Sequence, residues 1–179
     1  MIFLILALLL LFSVMVLTVV LQCRRSMRQY RRLAEALCDP GSWRIRFLIR
    51  TVVLVGKVDG LPIRYSVLGS PKAQAISVSY LLLLCPVRRN LRVYAESDLC
   101  QAEEGIREEL EALQKTEGFR NVILTPGESP FLGKVLSRPL GLTYAPGILL
   151  CRLEEAGAFN AGTVRSDIRH LVALCKKSM

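Results

Sequence analysis

The spacing of polar and apolar positions changes several times along the chain, and each change marks an element. From Met1 to Gln22 there is no charged residue, and the apolar run is broken only by Ser13 and Thr18. At a rise of about 1.5 Å per residue, such a run is long enough to cross the roughly 30 Å hydrocarbon layer of a bilayer. A cleaved signal peptide needs a basic leading region, a shorter apolar core and a small-residue cleavage site, and the segment has none of them. Nor does Leu21-Gln22 ahead of Cys23 offer the small residue of a lipoprotein signal. The expectation is an uncleaved transmembrane anchor over residues 1–22.

Beyond it, Met27, Tyr30, Leu33, Ala34 and Leu37 recur at helical spacing with arginines between them, which predicts a short amphipathic helix. Asp39-Pro40-Gly41-Ser42 ends it, because proline lacks the donor a helix needs and glycine permits the turn. Residues 23–41 thus read as a basic juxtamembrane helix and linker, and 42–179 as the attached domain.

The period then shortens to two. Trp43, Ile45, Phe47 and Ile49 alternate with Arg44, Arg46, Leu48 and Arg50, the pattern of a strand with one buried and one largely basic face, extended by the apolar run Val52 to Val55. Lys57-Val58-Asp59-Gly60 supplies a turn, and Ile63, Tyr65 and Val67 alternate with Arg64 and Ser66 as a hairpin partner. After the turn at Gly69-Ser70-Pro71, Ile76, Val78 and Tyr80 lead a third strand running into Leu84, and Leu91 and Val93 flank Arg92 in a fourth. These four read as an antiparallel meander.

From Asp98 the spacing becomes helical. Asp98 suits a cap, Ile106, Leu110 and Leu113 share one face, and Gly118 stops the element. Phe119 to Leu124 and Ile148 to Leu153 read as later strands around a Pro- and Gly-rich loop over 125–147. A last helix runs from about Gly162 to Lys177, with Val164, Ile168, Leu171, Val172 and Cys175 inward and Lys176-Lys177 at its negative end. The fold class predicted is α+β: one N-terminal transmembrane helix, then a two-layer domain of an antiparallel sheet, a four-strand meander plus one or two later strands, with helices on one face.

Charge sharpens the picture. The net charge is +9, and Arg24, Arg25, Arg28, Arg31 and Arg32 follow the apolar run at once, accounting for over half of it. Only the α-amino group precedes that run, so the positive-inside rule predicts the N-terminus out and the domain in the cytoplasm, and the membrane expected is a bacterial inner membrane. The six cysteines are scattered, with no C-x-x-C pair, as suits a reducing compartment. Arg44, Arg46, Arg64 and Arg92 fall on the polar phase of the strands, and no aromatic residues interleave with them as a base-stacking nucleic-acid platform requires.

Candidate chemistry is sparse. Gly127 to Val135 resembles a phosphate-binding loop only superficially: five residues separate the glycines, Val135 stands where a hydroxyl is needed, and Pro130 removes a donor. The single histidine, His170, lacks a nucleophile signature, and no Cys/His spacing suits zinc. The pairs Glu103-Glu104, Glu108-Glu109 and Glu154-Glu155 read as solvated charge, with Glu103 and Glu111 spaced to pair with Arg107 and Glu111 with Lys115. No catalytic, cofactor-binding or metal-binding residue is assigned, and no cofactor, nucleic acid or small-molecule substrate is expected.

The function expected from topology is a non-catalytic accessory or structural subunit of an inner-membrane complex, its partners other integral membrane subunits and anionic headgroups. The alternative is a membrane-tethered module that recognises anionic lipid or an acidic protein through an arginine-rich sheet face. Arg24, Arg25, Arg28, Arg31, Arg32, Arg44, Arg46, Arg64 and Arg92 are the expected membrane- and partner-binding residues. With no intramembrane polar site, the helix is not expected to transport anything itself.

Overall fold

A computed structural model describes residues 2–48, 51–69, 76–127, 146–155 and 161–178. The fold is α+β, an open seven-stranded antiparallel sheet with helices. The period-two segments become β1 (Arg44–Leu48), β2 (Thr51–Val58), β3 (Leu61–Gly69) and β4 (Ile76–Leu84), a meander of four strands. The apolar stretch read as one strand from Trp43 to Val55 is thus two strands forming a hairpin, with Phe47 opposite Val52 and Leu48 opposite Thr51. Trp43 and Ile45 pack against the core while Arg44 and Arg46 are exposed; the side chains of Phe47, Ile49 and Arg50 lie outside those described.

The short strand β5 (Leu91–Val93) does not join the meander as its fourth member. It forms the far edge of the sheet, separated from β4 by β7 (Gly147–Glu155) and β6 (Phe119–Thr125). Both intervening strands come later in the chain, so local spacing could not place β5. Between β5 and β6 run a 3-10 turn over Glu96–Gln101 and helix α2 (Glu104–Lys115). Asp98 belongs to the 3-10 turn, where its carboxylate accepts the N–H groups of Tyr94 and Ala95, and Glu103 is the N-cap of α2. Gly118 adopts φ +77° beyond that helix, where a Cβ would collide with the Leu153 carbonyl, and the last helix is α3 (Ala161–Ser178).

Apolar residues form two clusters, one on each sheet face. The larger joins Leu54, Ile63, Tyr65, Leu83, Val122, Leu124, Ile148 and Leu150 with Ile106, Leu110 and Leu113 of α2 and Val164, Ile168, Leu171 and Cys175 of α3. The smaller holds Val53, Leu82, Ile123, Leu149 and Cys151, with Val55, Tyr80 and Leu84 half-buried beside them, and contains no helix residue.

Helix α1 (Ile2–Leu37) is one element of 36 residues, continuous across positions 22 and 23. Its last turns belong to the larger core, through Tyr30, Leu33 and Ala34, whereas Leu8, Leu11, Val14, Leu17 and Leu21 are exposed. The expected span is not supported at this level: among the described residues no helix is long and apolar enough to cross a membrane. The side chains at positions 1, 2, 4, 6, 19, 22, 23 and 26 lie outside those described.

Asp39 does more than end α1. Its carboxylate accepts the backbone N–H groups of Asp59 (3.2 Å) and Gly60 (3.0 Å), both at positive φ in the β2–β3 turn, and its own N–H donates to the Lys57 carbonyl. The Tyr30 hydroxyl accepts from the Val67 N–H at 3.2 Å. Helix and sheet are therefore latched at two places. Asp39→Ala is expected to cost about 1 kcal/mol in chemical denaturation, in the range of lost helix and turn caps.

Candidate functional site

The five arginines of α1 occupy one side of the helix. At about 100° per residue they fall within an arc of about 120°, roughly opposite the side that carries Tyr30, Leu33 and Leu37 into the core. Arg24, Arg25, Arg28, Arg31 and Arg32 are all exposed, with Leu21 and Gln29 beside them on the helix. Only Arg31 makes an ion pair among the described residues, with Glu35 at 3.9 Å. A cationic ridge of this kind can hold phosphate or carboxylate groups in shallow, salt-sensitive contact.

The strand arginines share the sheet face opposite the helices. Register places Arg44, Val55, Arg64, Leu82, Leu149, Ile123 and Arg92 in one row across the sheet, and Arg46, Val53, Ser66, Tyr80, Cys151 and Asn121 in the next. The face is not uniformly basic. Arg44, Arg46 and Arg64 lie together at the β1 side; burial first, and the Arg46 guanidinium second, lower the Arg64 pKa. Arg92 stands four strands from Arg64, about 19 Å at the usual strand spacing, with buried Leu82, Leu149 and Ile123 between. Near that side is Arg120, which spacing did not reveal. It occupies the irregularity between Phe119 and Asn121, where an extra residue breaks the alternation.

One polar pair escaped the sequence reading altogether. Arg152 and Asp167 are each only 3% exposed. Arg152 Nε and Nη2 donate to the two Asp167 carboxylate oxygens at 2.6 Å, while Nη1 and Nη2 donate to the carbonyls of Thr116, Glu117 and Leu113 at 3.2–3.3 Å. Every guanidinium donor is used, three of its acceptors being carbonyls at the end of α2 and just beyond, where a helix leaves such groups unpaired. Burial pushes the Asp167 carboxyl up, against the pull of Arg152. This cluster joins β7, α2 and α3; almost fully buried, it serves architecture rather than binding.

Glu109, expected on a solvated charged face, is instead partly buried and paired. Its oxygens meet His170 Nδ1 at 2.8 Å and Lys177 Nζ at 2.9 Å, clamping α2 to α3. Hydrogen bonding from His170 is the largest influence holding the Glu109 carboxyl below the usual range. A depressed carboxyl adds stability above its unfolded pKa, about 4.3, that disappears as pH falls through the folded value. The thermal-stability deficit of Glu109→Gln should thus be present at pH 6–7 and vanish on acidification toward pH 3. Glu103, expected beside Arg107, instead pairs with Arg89 at 2.9 Å, because as the N-cap it lies outside the helical spacing.

Chemistry of other kinds finds little footing. The described cysteines are free thiols, and burial pushes Cys38 up to about 11, Cys151 up to about 12 and Cys85 higher still, so these three are protonated and weakly nucleophilic near neutrality. Among the described residues no three His, Cys, Asp or Glu side chains converge as a metal site. A cavity of 160 Å³ lies between the β4–β5 loop, the start of α2 and the end of α3, lined by Arg88, Arg89, Glu103, Ile106 and Lys177 among others. Two of its cations are already paired, Arg89 with Glu103 and Lys177 with Glu109. The phosphate-loop resemblance falls mostly on residues 128–135, outside those described. Comparison with protein-family models, curated proteins and solved structures finds no match for the chain.

Proposed function

We propose that the protein is a non-catalytic accessory subunit of a bacterial inner-membrane complex, held by residues 1–22 as a transmembrane anchor with its domain in the cytoplasm. The observation that carries this reading is the divided character of α1. One unbroken helix buries Tyr30, Leu33 and Ala34 in the domain, while the described apolar side chains of its first half, Leu8 to Leu17 among them, are exposed and absent from the core clusters. Water is a poor solvent for such a surface, and burying it in hydrocarbon or against other membrane helices is favourable. The two hydroxyls in this half, Ser13 and Thr18, donate to the carbonyls of Leu9 and Val14, so neither brings an unmet donor into an apolar surround.

Rigid continuity suits a structural part, since the domain is held at a fixed distance and angle from whatever the first half of α1 contacts. The arginine ridge then lies at the headgroup boundary, where each basic residue contributes about 1 kcal/mol of attraction to an anionic leaflet and favours cytoplasmic placement. Purification from native membranes in mild detergent tests the assignment. Co-migration with other integral membrane proteins at fixed stoichiometry is the expected result. A monomer bound only to lipid would favour the tethered lipid-binding module, and turnover of a metabolite would overturn the non-catalytic reading.

A further inference from the structure

A groove of 420 Å³ runs between the end of α1, the β2–β3 turn and α3. Leu37 and Val58, with the little that shows of the core residues Ile168 and Val172, form its apolar floor, and Arg165, Arg169, Lys176 and Ala173 of α3 add to the lining. These three cations sit at i, i+4 and i+11 of α3, within about 40° of one another around the helix, so they form a single ridge. All three are exposed, and none takes part in an ion pair among the described residues. Asp59 is the one acidic residue of the lining.

We propose that this groove docks an acidic amphipathic helix of a neighbouring subunit, its apolar side on the floor and its carboxylates along the α3 ridge. The inference rests on the membrane-subunit reading and deepens it. Two adjoining helical walls above an apolar floor suit a helix laid in a groove, and arginine's planar fork suits carboxylates. Distance argues against lipid headgroups as the occupant. Leu37 lies 16 residues beyond Leu21, about 24 Å along α1, and that exceeds two screening lengths of about 8–10 Å at physiological salt.

The test uses the full chain in its native membrane, with the photo-crosslinker benzoylphenylalanine installed at position 173 and, separately, at position 36. After irradiation and mild-detergent purification, mass spectrometry maps the adduct. The expected result is one partner segment rich in Asp and Glu, with adduct yield falling at least tenfold in an Arg165→Glu/Arg169→Glu background that keeps wild-type thermal stability. An unchanged yield after charge reversal, an adduct only with lipid or a second copy of this chain, or no adduct at either position would overturn the groove assignment while leaving a co-purifying complex intact. Absence of any co-purifying subunit in the wild type would overturn both readings.

Discussion

Replacing Asp167 with Asn will cost about 3–5 kcal/mol of folding stability, the range measured when one partner of a buried ion pair is removed. The side-chain volume hardly changes, so packing is not the reason. The guanidinium of Arg152 would keep its charge at 3% exposure, with its two 2.6 Å contacts no longer to an anion. Arg152→Met should cost a similar amount for the mirror-image reason, stranding a buried carboxylate and three carbonyls near the end of α2. Against a total stability of typically 5–15 kcal/mol, either change consumes a large share. The double variant Arg152→Met/Asp167→Leu should lose less than the sum of the two singles, because no uncompensated charge remains. Urea unfolding of the detergent-solubilised chain, followed by far-UV circular dichroism, measures all three. Strict additivity would show that the pair is not a coupled unit.

Leu33→Ala should cost about 2–5 kcal/mol, as for other fully buried leucines, whereas Leu11→Ala should change stability in detergent by less than about 0.5 kcal/mol. Both residues lie on the same helix, but Leu33 is 1% exposed within the core and Leu11 is 71% exposed. The contrast tests whether the two halves of α1 have separate tasks. Equal losses from both variants would mean that the first half also packs on the domain, leaving no free apolar surface to be buried elsewhere.

Legibility in the sequence followed the range of the interactions. The hairpin partners β2 and β3 were visible because alternation and the Asp59-Gly60 turn are local signals, and α3 was visible because its apolar positions repeat at helical spacing. The place of β5 was hidden, since three residues carry little pattern and its partner β6 begins only after an intervening 3-10 turn and helix. Arg152 and Asp167 did leave a trace: Arg152 shares the inward phase of Ile148 and Leu150, and Asp167 the inward stripe of Val164 and Leu171. Opposite charges in two buried phases are a signature of pairing. Arg120 left none, as a bulge erases the alternation on which facing is judged. The expected arginine face is real as a set of register positions, but an apolar band divides it, and cross-strand order was needed to see that.

The central proposal is that the first half of α1 lies in a bilayer, although no described helix meets the length and apolarity of a span, and alkaline carbonate extraction tests it most directly. Native membranes carrying the full chain are washed at high pH, which strips proteins held by charge or by peripheral contact. The account predicts that the chain stays in the membrane pellet and is released only by detergent. Recovery of the chain in the carbonate wash would contradict it.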